Sequence, residues 1–309
     1  MPRAVYIWGT GQVGRDALRR LQGREVAGFV DNDATRWHGE ILGLPVLPPS
    51  TILSSPERGF VVIASMYEEQ IAEQLREASW TPGVDFASIA SVVESGDETP
   101  ARVFTRIFED HGWPDPESRA GGGSNLAATA NIRQALPDLF RRYRIRSVVD
   151  APCGDLQWMA SLLPEIDLYT GVEVVPQLVD GNRARYGTPR VRFIERDLSA
   201  EPPPAADLVL CRDCLVHLPT SLAVQALRNI AVTKARYLLT TTFPRTAANR
   251  DVLTGAWRPL NLELAPFRLG APLESISEYE PESSDDFADK TLALWSVDDV
   301  RATLLGHAA

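Results

Sequence analysis

Asp150, Glu173 and Asp197 each close a short apolar run, and Arg212, Asp213 and His217 follow a fourth. A carboxylate at the tip of a strand can accept two hydrogen bonds side by side, which suits a pair of ligand hydroxyls. Asp213 and His217 are four residues apart, so a helical turn through Leu215-Val216 would place both side chains on one face. A histidine there can take a proton from a hydroxyl, with Asp213 fixing its tautomer or ligating a divalent cation that acidifies the hydroxyl. The structural alternative is that His217 caps the turn before Pro219-Thr220 while Asp213 pairs with Arg212. Arg212 itself is suited to an acidic group of a substrate. Further on, Trp257, Arg258 and Asn261 form a polar and aromatic loop fit for stacking on a sugar ring, although Trp257 is equally at home in ordinary packing.

These side chains need strands to carry them. Ser147-Val148-Val149 is β-branched and short, and it runs into Asp150-Ala151-Pro152-Cys153-Gly154-Asp155. Pro152 lacks an amide hydrogen and Gly154 lacks a Cβ, so the chain can turn sharply and leave room for a ligand at the carboxyl end of a parallel sheet. Strands over 168–172, 191–194 and 207–210 alternate with helix-like runs such as LQWMASLL and PQLVDGNRARY. That alternation predicts a doubly wound parallel sheet with four strand ends converging on one crevice. A late strand, Thr291 to Val297, is expected to complete the sheet antiparallel.

The front of the chain repeats the pattern. AVYIW leads into Gly9-Thr10-Gly11-Gln12-Val13-Gly14, then a helix-like run, then a strand from Glu25 to Val30 that ends at Asp31. This is the order of a dinucleotide fingerprint, in which Gly9, Gly11 and Gly14 admit a pyrophosphate and Asp31 takes a ribose hydroxyl. A nucleotide or NAD(P) is therefore one reading of this segment, and a purely architectural role is the other. The stretch from His38 to Trp80 resembles small Rossmann-like domains found in front of sugar-modifying enzymes. The turn-rich break from Ser95 to Pro100 divides the chain into a first domain over 1–95, a linker or lid over 96–123 ending in Gly121-Gly122-Gly123-Ser124, and a second domain over 124–309.

Composition narrows the function classes. A net charge of -10 and a pI near 5.0 disfavour a nucleic-acid surface, which needs clustered Lys and Arg. No apolar run approaches the length of a membrane span, and the amino terminus reads as a strand, so a cytoplasmic protein is expected. Cys153, Cys211 and Cys214 make an odd set in which Cys211-x-x-Cys214 has no second Cys/His pair to complete a structural zinc site. The partner expected is a small or carrier-bound substrate, with a homo-oligomer left open.

The second domain resembles class I S-adenosylmethionine-dependent methyltransferases, and within them a bacterial family marked by DAPCGD, CRDCLVHLP, LLTTTFP and GAWRPLNL. The resemblance spans roughly Ser124 to the end. It implies a seven-stranded sheet, making the fold class α/β with two doubly wound Rossmann-like domains. It also implies that Asp150, Ala151, Pro152, Cys153, Gly154 and Asp155, with Trp158 and Arg212, flank the methionine side of the cofactor, that Glu173 holds the ribose hydroxyls, and that Asp197 lies beside the adenine. Pro152 and Cys153 stand where many relatives have glycine. The residues after strand four lack the Asn/Asp-Pro-Pro-aromatic motif of nucleobase N-methylation. O-methylation of a sugar or small metabolite is the leading expectation, with His217, Asp213 and Arg212 as the catalytic set. The alternatives are N-methylation, cyclisation of the cofactor itself, or a cofactor-sensing module without turnover.

Overall fold

A computed structural model describes residues 3–21, 24–55, 58–92, 98–279 and 287–306, and the chain divides into two units at Glu98/Thr99. The break expected from Ser95 lies partly outside the described residues. The 96–123 segment is not a separate linker, because everything from Thr99 onward belongs to the second unit.

The first unit comprises β1 (Val5–Trp8), α1 (Gln12–Arg20), β2 (Val26–Val30), β3 (Glu40–Ile41), β4 (Leu44–Leu47), α2 (Pro49–Leu53), β5 (Phe60–Ile63), α3 (Glu68–Glu77), β6 (Phe86–Ser88) and α4 (Ile89–Val92). Its sheet order is β3-β4-β2-β1-β5-β6, parallel except for the short edge strand β3. Strand order thus reverses on either side of β1, the geometry that opens a crevice at the strand tips. Gly14 is there for contact: a Cβ on it would meet the Gly9 carbonyl oxygen at 1.9 Å, so its absence lets α1 sit directly on the turn after β1.

The second unit begins with α5 (Pro100–Glu109) and α6 (Ala130–Arg142). It continues through β7 (Ser147–Asp150), β8 (Leu168–Glu173), α7 (Pro176–Tyr186), β9 (Val191–Glu195), β10 (Leu208–Cys211), α8 (Thr220–Ala231), β11 (Tyr237–Thr242), β12 (Glu274–Ser277), β13 (Thr291–Ser296) and α9 (Val297–Leu305). The order is β12-β13-β11-β10-β7-β8-β9, with β13 antiparallel to both its neighbours. This is the seven-stranded sheet that the resemblance implies. The expected helix over LQWMASLL is instead a 3-10 helix, Met159–Glu165, which contains Pro164. Strand β12 lacks any apolar alternation long enough to be read from sequence.

Alternation along the central strands divides the core in two. Val149, Val209 and Cys211 point into a cluster with α8 and α9, while Val148, Leu208 and Leu210 point into one with α6 and α7. Both faces are covered, as a buried parallel sheet requires. The face α8 turns inward carries Ala223, Ala226, Leu227, Ile230 and Ala231, a helical repeat whose small side chains allow close approach to the sheet. The carboxyl ends of the strands are left uncovered by this packing, and polar side chains gather there.

Candidate active site

The turn after β7 is held from two sides. Gly154, at φ +54°, donates its N–H to Glu173 Oε2 at 3.0 Å, and its carbonyl accepts from Asn182 Nδ2 of α7 at 2.7 Å. The left-handed backbone explains the glycine, and a Cβ there would also press on Ala120 at 3.0 Å. The Ala151–Pro152 peptide is cis. Asp150 accepts a 2.7 Å hydrogen bond from the Tyr169 hydroxyl, and burial raises its pKa to about 7 against the pull of that bond and of Arg212.

Glu173 is buried and, among the described residues, has no cation paired with it. Its Oε1 accepts from the N–H groups of Val174 (2.8 Å) and Val175 (3.2 Å), leaving spare acceptor capacity on Oε2. Burial raises its pKa, opposed by those backbone donors. Asp197 Oδ1 is occupied by the N–H and hydroxyl of Ser199, at 2.8 and 2.6 Å, so that further acceptance falls to Oδ2. Asp150, Ala151, Pro152, Cys153, Gly154, Trp158, Glu173, Asp197, Arg212, Asp213, His217 and Trp257 all line one cavity of about 510 Å³.

Asp155 does not line it. Its carboxylate instead accepts from the Ser118 hydroxyl (3.1 Å) and the Arg119 N–H (2.7 Å), clamping residues 118–119 beside the turn. The segment from Gly112 to Ser124 is thereby drawn across the strand tips, and Gly112, Trp113, Pro114 and Arg119 to Ser124 form part of the cavity wall. The glycine-rich joint of the sequence is a strap packed on the site.

Arg212 is equally committed. Its guanidinium, 3% exposed, donates to Glu278 Oε2 and to the Gly123 carbonyl (2.7 Å), pairs with Asp213 at 3.2 Å, and lies over the Trp158 ring. Lys290 Nζ donates to Asp213 Oδ2 at 2.6 Å and stands 3.2 Å from Glu278. Two cations and two carboxylates thus neutralise one another, so Arg212 is not available to an acidic substrate group as the sequence suggested. Burial would raise the Asp213 pKa, but Lys290 and Arg212 outweigh it and hold it at about 2.

His217 is oriented by a carbonyl, not by Asp213. Asp213 has φ +49°, a conformation that aspartate tolerates better than most residues, and residues Leu215–His217 make a 3-10 turn, so the helical face assumed for the pair does not form. Nδ1 lies 2.8 Å from the Ala256 carbonyl oxygen, which can only accept, so Nδ1 carries the proton and Nε2 keeps its lone pair. Burial lowers the His217 pKa to about 4, so the ring is neutral at ordinary pH. Trp113 packs against it with centroids 4.6 Å apart.

Trp257 lies on the cavity against Phe287 and Phe243. Arg258 and Asn261 do not reach it. Arg258 donates to the Leu215 and Arg250 carbonyls, and Asn261 to those of Pro244 and Thr246, so both brace the loop after β11. Sequence reasoning missed Trp113, Glu278, Tyr279, Phe287 and Lys290; the last four come from the connection between β12 and β13, remote in sequence from every motif. Among the described residues no group of three His, Cys, Asp or Glu is arranged to hold a metal, and Asp213, the expected cation ligand, is engaged by Lys290.

In the first unit the Thr10 hydroxyl donates to Asp31 Oδ2, the Thr10 N–H donates to the same oxygen at 3.1 Å, and Arg36 donates to the Thr10 hydroxyl. The chain supplies its own hydroxyl where the fingerprint expects a ribose. Gly9 and Gly14 serve close packing, and of the three glycines Gly11 faces open space.

A scan against protein-family models finds no match, and neither does a search of curated proteins. Among solved structures the chain is similar to several S-adenosylmethionine-dependent methyltransferases. The magnesium protoporphyrin IX methyltransferase of Synechocystis with bound SAM is 14% identical, with 66% of this chain and 99% of that chain covered and a TM-score of 0.46. The N-methyltransferase NodS of Bradyrhizobium japonicum, in complex with S-adenosyl-L-homocysteine, is 14% identical over 64% and 98%, at 0.46. An O-methyltransferase family protein of Burkholderia thailandensis is 18% identical over 55% of this chain and 57% of its own, at 0.39. The assignment of the fold rests on the strand order described above.

Proposed function

We propose that the chain is an S-adenosylmethionine-dependent methyltransferase that methylates a hydroxyl of a small acceptor. The observation that carries this reading is the shared cavity: Gly154, Glu173 and Asp197 line it at the tips of three adjacent strands, and His217 lines it beyond the fourth. The donor set suits the cofactor. Glu173 Oε2 and Asp197 Oδ2 have acceptor capacity for a ribose hydroxyl and an adenine amino group, and Gly154 has no Cβ to obstruct the methionine side. When bound, S-adenosylmethionine would supply a methyl group on a positively charged sulfur, an electrophile.

The work of this chain is positioning and proton removal. The cavity walls would hold the acceptor oxygen in line with the methyl group, where orientation alone accounts for much of the acceleration. His217 Nε2 would take the hydroxyl proton as the new carbon–oxygen bond forms. A neutral imidazole with so low a pKa is a weak base toward a resting hydroxyl, but the proton becomes strongly acidic as the oxygen is alkylated, so transfer late in the step suffices. A cofactor-sensing module would need no such base.

The test is titration calorimetry with S-adenosylmethionine and S-adenosylhomocysteine, followed by incubation with methyl-labelled cofactor and an extract of small molecules. Binding with label appearing in an oxygen-linked methyl group supports the reading. Absence of binding removes it, and label on nitrogen alone removes the hydroxyl assignment.

A further inference from the structure

We propose that the acceptor is a planar, uncharged aromatic hydroxyl, a phenol, and not a sugar; this rests on the methyltransferase reading above and names its substrate class. The portion of the cavity wall around His217 is built from rings. Trp113 packs on the imidazole, Trp257 packs on Phe287 at 4.9 Å, and Phe287 stacks on Tyr279 with an interplanar angle of 28°. All four aromatic residues line the cavity.

The polar groups beside them are already spent. Asp213 and Lys290 also line the wall, but each is bound to the other, and with Arg212 and Glu278 they sum to zero charge. Arg258 and Asn261, the side chains best suited to a polyol, are turned into the loop and bonded to backbone carbonyls. His217 lines the cavity too, and with Nδ1 held by the Ala256 carbonyl its lone pair is on Nε2.

A sugar brings several hydroxyls, each of which must find a partner when it leaves water. A phenol brings one, and its ring gains from offset stacking on tryptophan and tyrosine faces. Among the described residues the charges beside His217 cancel, which favours a ring without a carboxylate or ammonium group there.

The full chain, saturated with S-adenosylhomocysteine, is titrated with 2-naphthol and with methyl α-D-glucopyranoside, followed by ligand-observed NMR. The expected result is binding of 2-naphthol at least about tenfold tighter than the glucoside, with Trp257→Ala weakening it by a similar factor and Trp257→Phe restoring most of it. Retention of S-adenosylhomocysteine affinity in both variants shows that they are folded. Equal or tighter binding of the glucoside overturns the phenol, as does 2-naphthol binding that ignores Trp257. Failure of S-adenosylhomocysteine itself to bind overturns the methyltransferase reading instead, and the phenol with it.

Discussion

Asp31 and Glu173 occupy matching places in two different sheets, each an acid at the carboxyl end of the second strand, and each accepts hydrogen bonds from its own chain. What surrounds them differs. Asp31 receives a side-chain hydroxyl from Thr10 and has Arg36 at 3.7 Å, so ligand-like partners and a counter-charge are both built in. Glu173 receives three backbone N–H groups, has no cation paired with it among the described residues, and lines a large cavity. An acid after a strand is thus a position, and whether it serves a ligand depends on which donors the fold has already brought to it.

That contrast between polar groups open to the cavity and those consumed by the chain is broken or sharpened by substitution. The largest expected effect is at His217: His217→Ala should lower kcat by about 10²- to 10⁴-fold while leaving S-adenosylhomocysteine affinity within about twofold, as measured by steady-state kinetics beside calorimetry. An unchanged kcat would place His217 with the consumed groups. Asp213→Ala tests the opposite class. It strips Lys290 and Arg212 of a shared partner and should cost about 3–5 kcal/mol of unfolding free energy in the second unit, read by denaturant melts.

Glu173→Ala should weaken cofactor binding by about 10- to 100-fold, the worth of hydrogen bonds to a charged acceptor. Its counterpart, Asp31→Ala, should leave that affinity untouched and cost the first unit about 1–3 kcal/mol in stability. Equal effects on cofactor binding would erase the distinction between the two acids.

The smallest effects concern pH. Asp150 has a folded pKa near 7, above its unfolded value, so its contribution to stability is complete below about pH 4 and is lost as pH rises toward 7. Asp150→Asn should therefore gain on the native chain across that interval. His217, with a folded value near 4, contributes above its unfolded value of about 6.5 and loses that contribution as pH falls toward 4. For the same reason kcat should show no break near pH 6.5 from this residue.

The strand tips were legible because each depends on local signals: an apolar run, a closing acid, and a glycine where the backbone must turn left-handed. Asp150, Glu173, Asp197 and His217 followed from those signals and do share a cavity. The partners did not follow. That Asp155 would grip Ser118 and Arg119 depends on a segment 36 residues upstream crossing the strand tips, and that Lys290 would answer Asp213 depends on β13 pairing with β11; no short-range pattern announces either. The group that fixes the histidine's tautomer was misread for a related reason. A side chain four residues away is visible in sequence, whereas the Ala256 carbonyl, 39 residues on, is not. Arg258 and Asn261 show the converse error, since polar residues in an aromatic loop can serve the loop itself.

The hydrogen bond from Arg212 to the Gly123 carbonyl anchors the strap to the floor beneath it. Peeling that strap away would leave a permanently charged group deep inside with one proton facing nothing, a penalty that water must enter to relieve. Doorway and foundation are therefore one piece, tied together by a single backbone carbonyl.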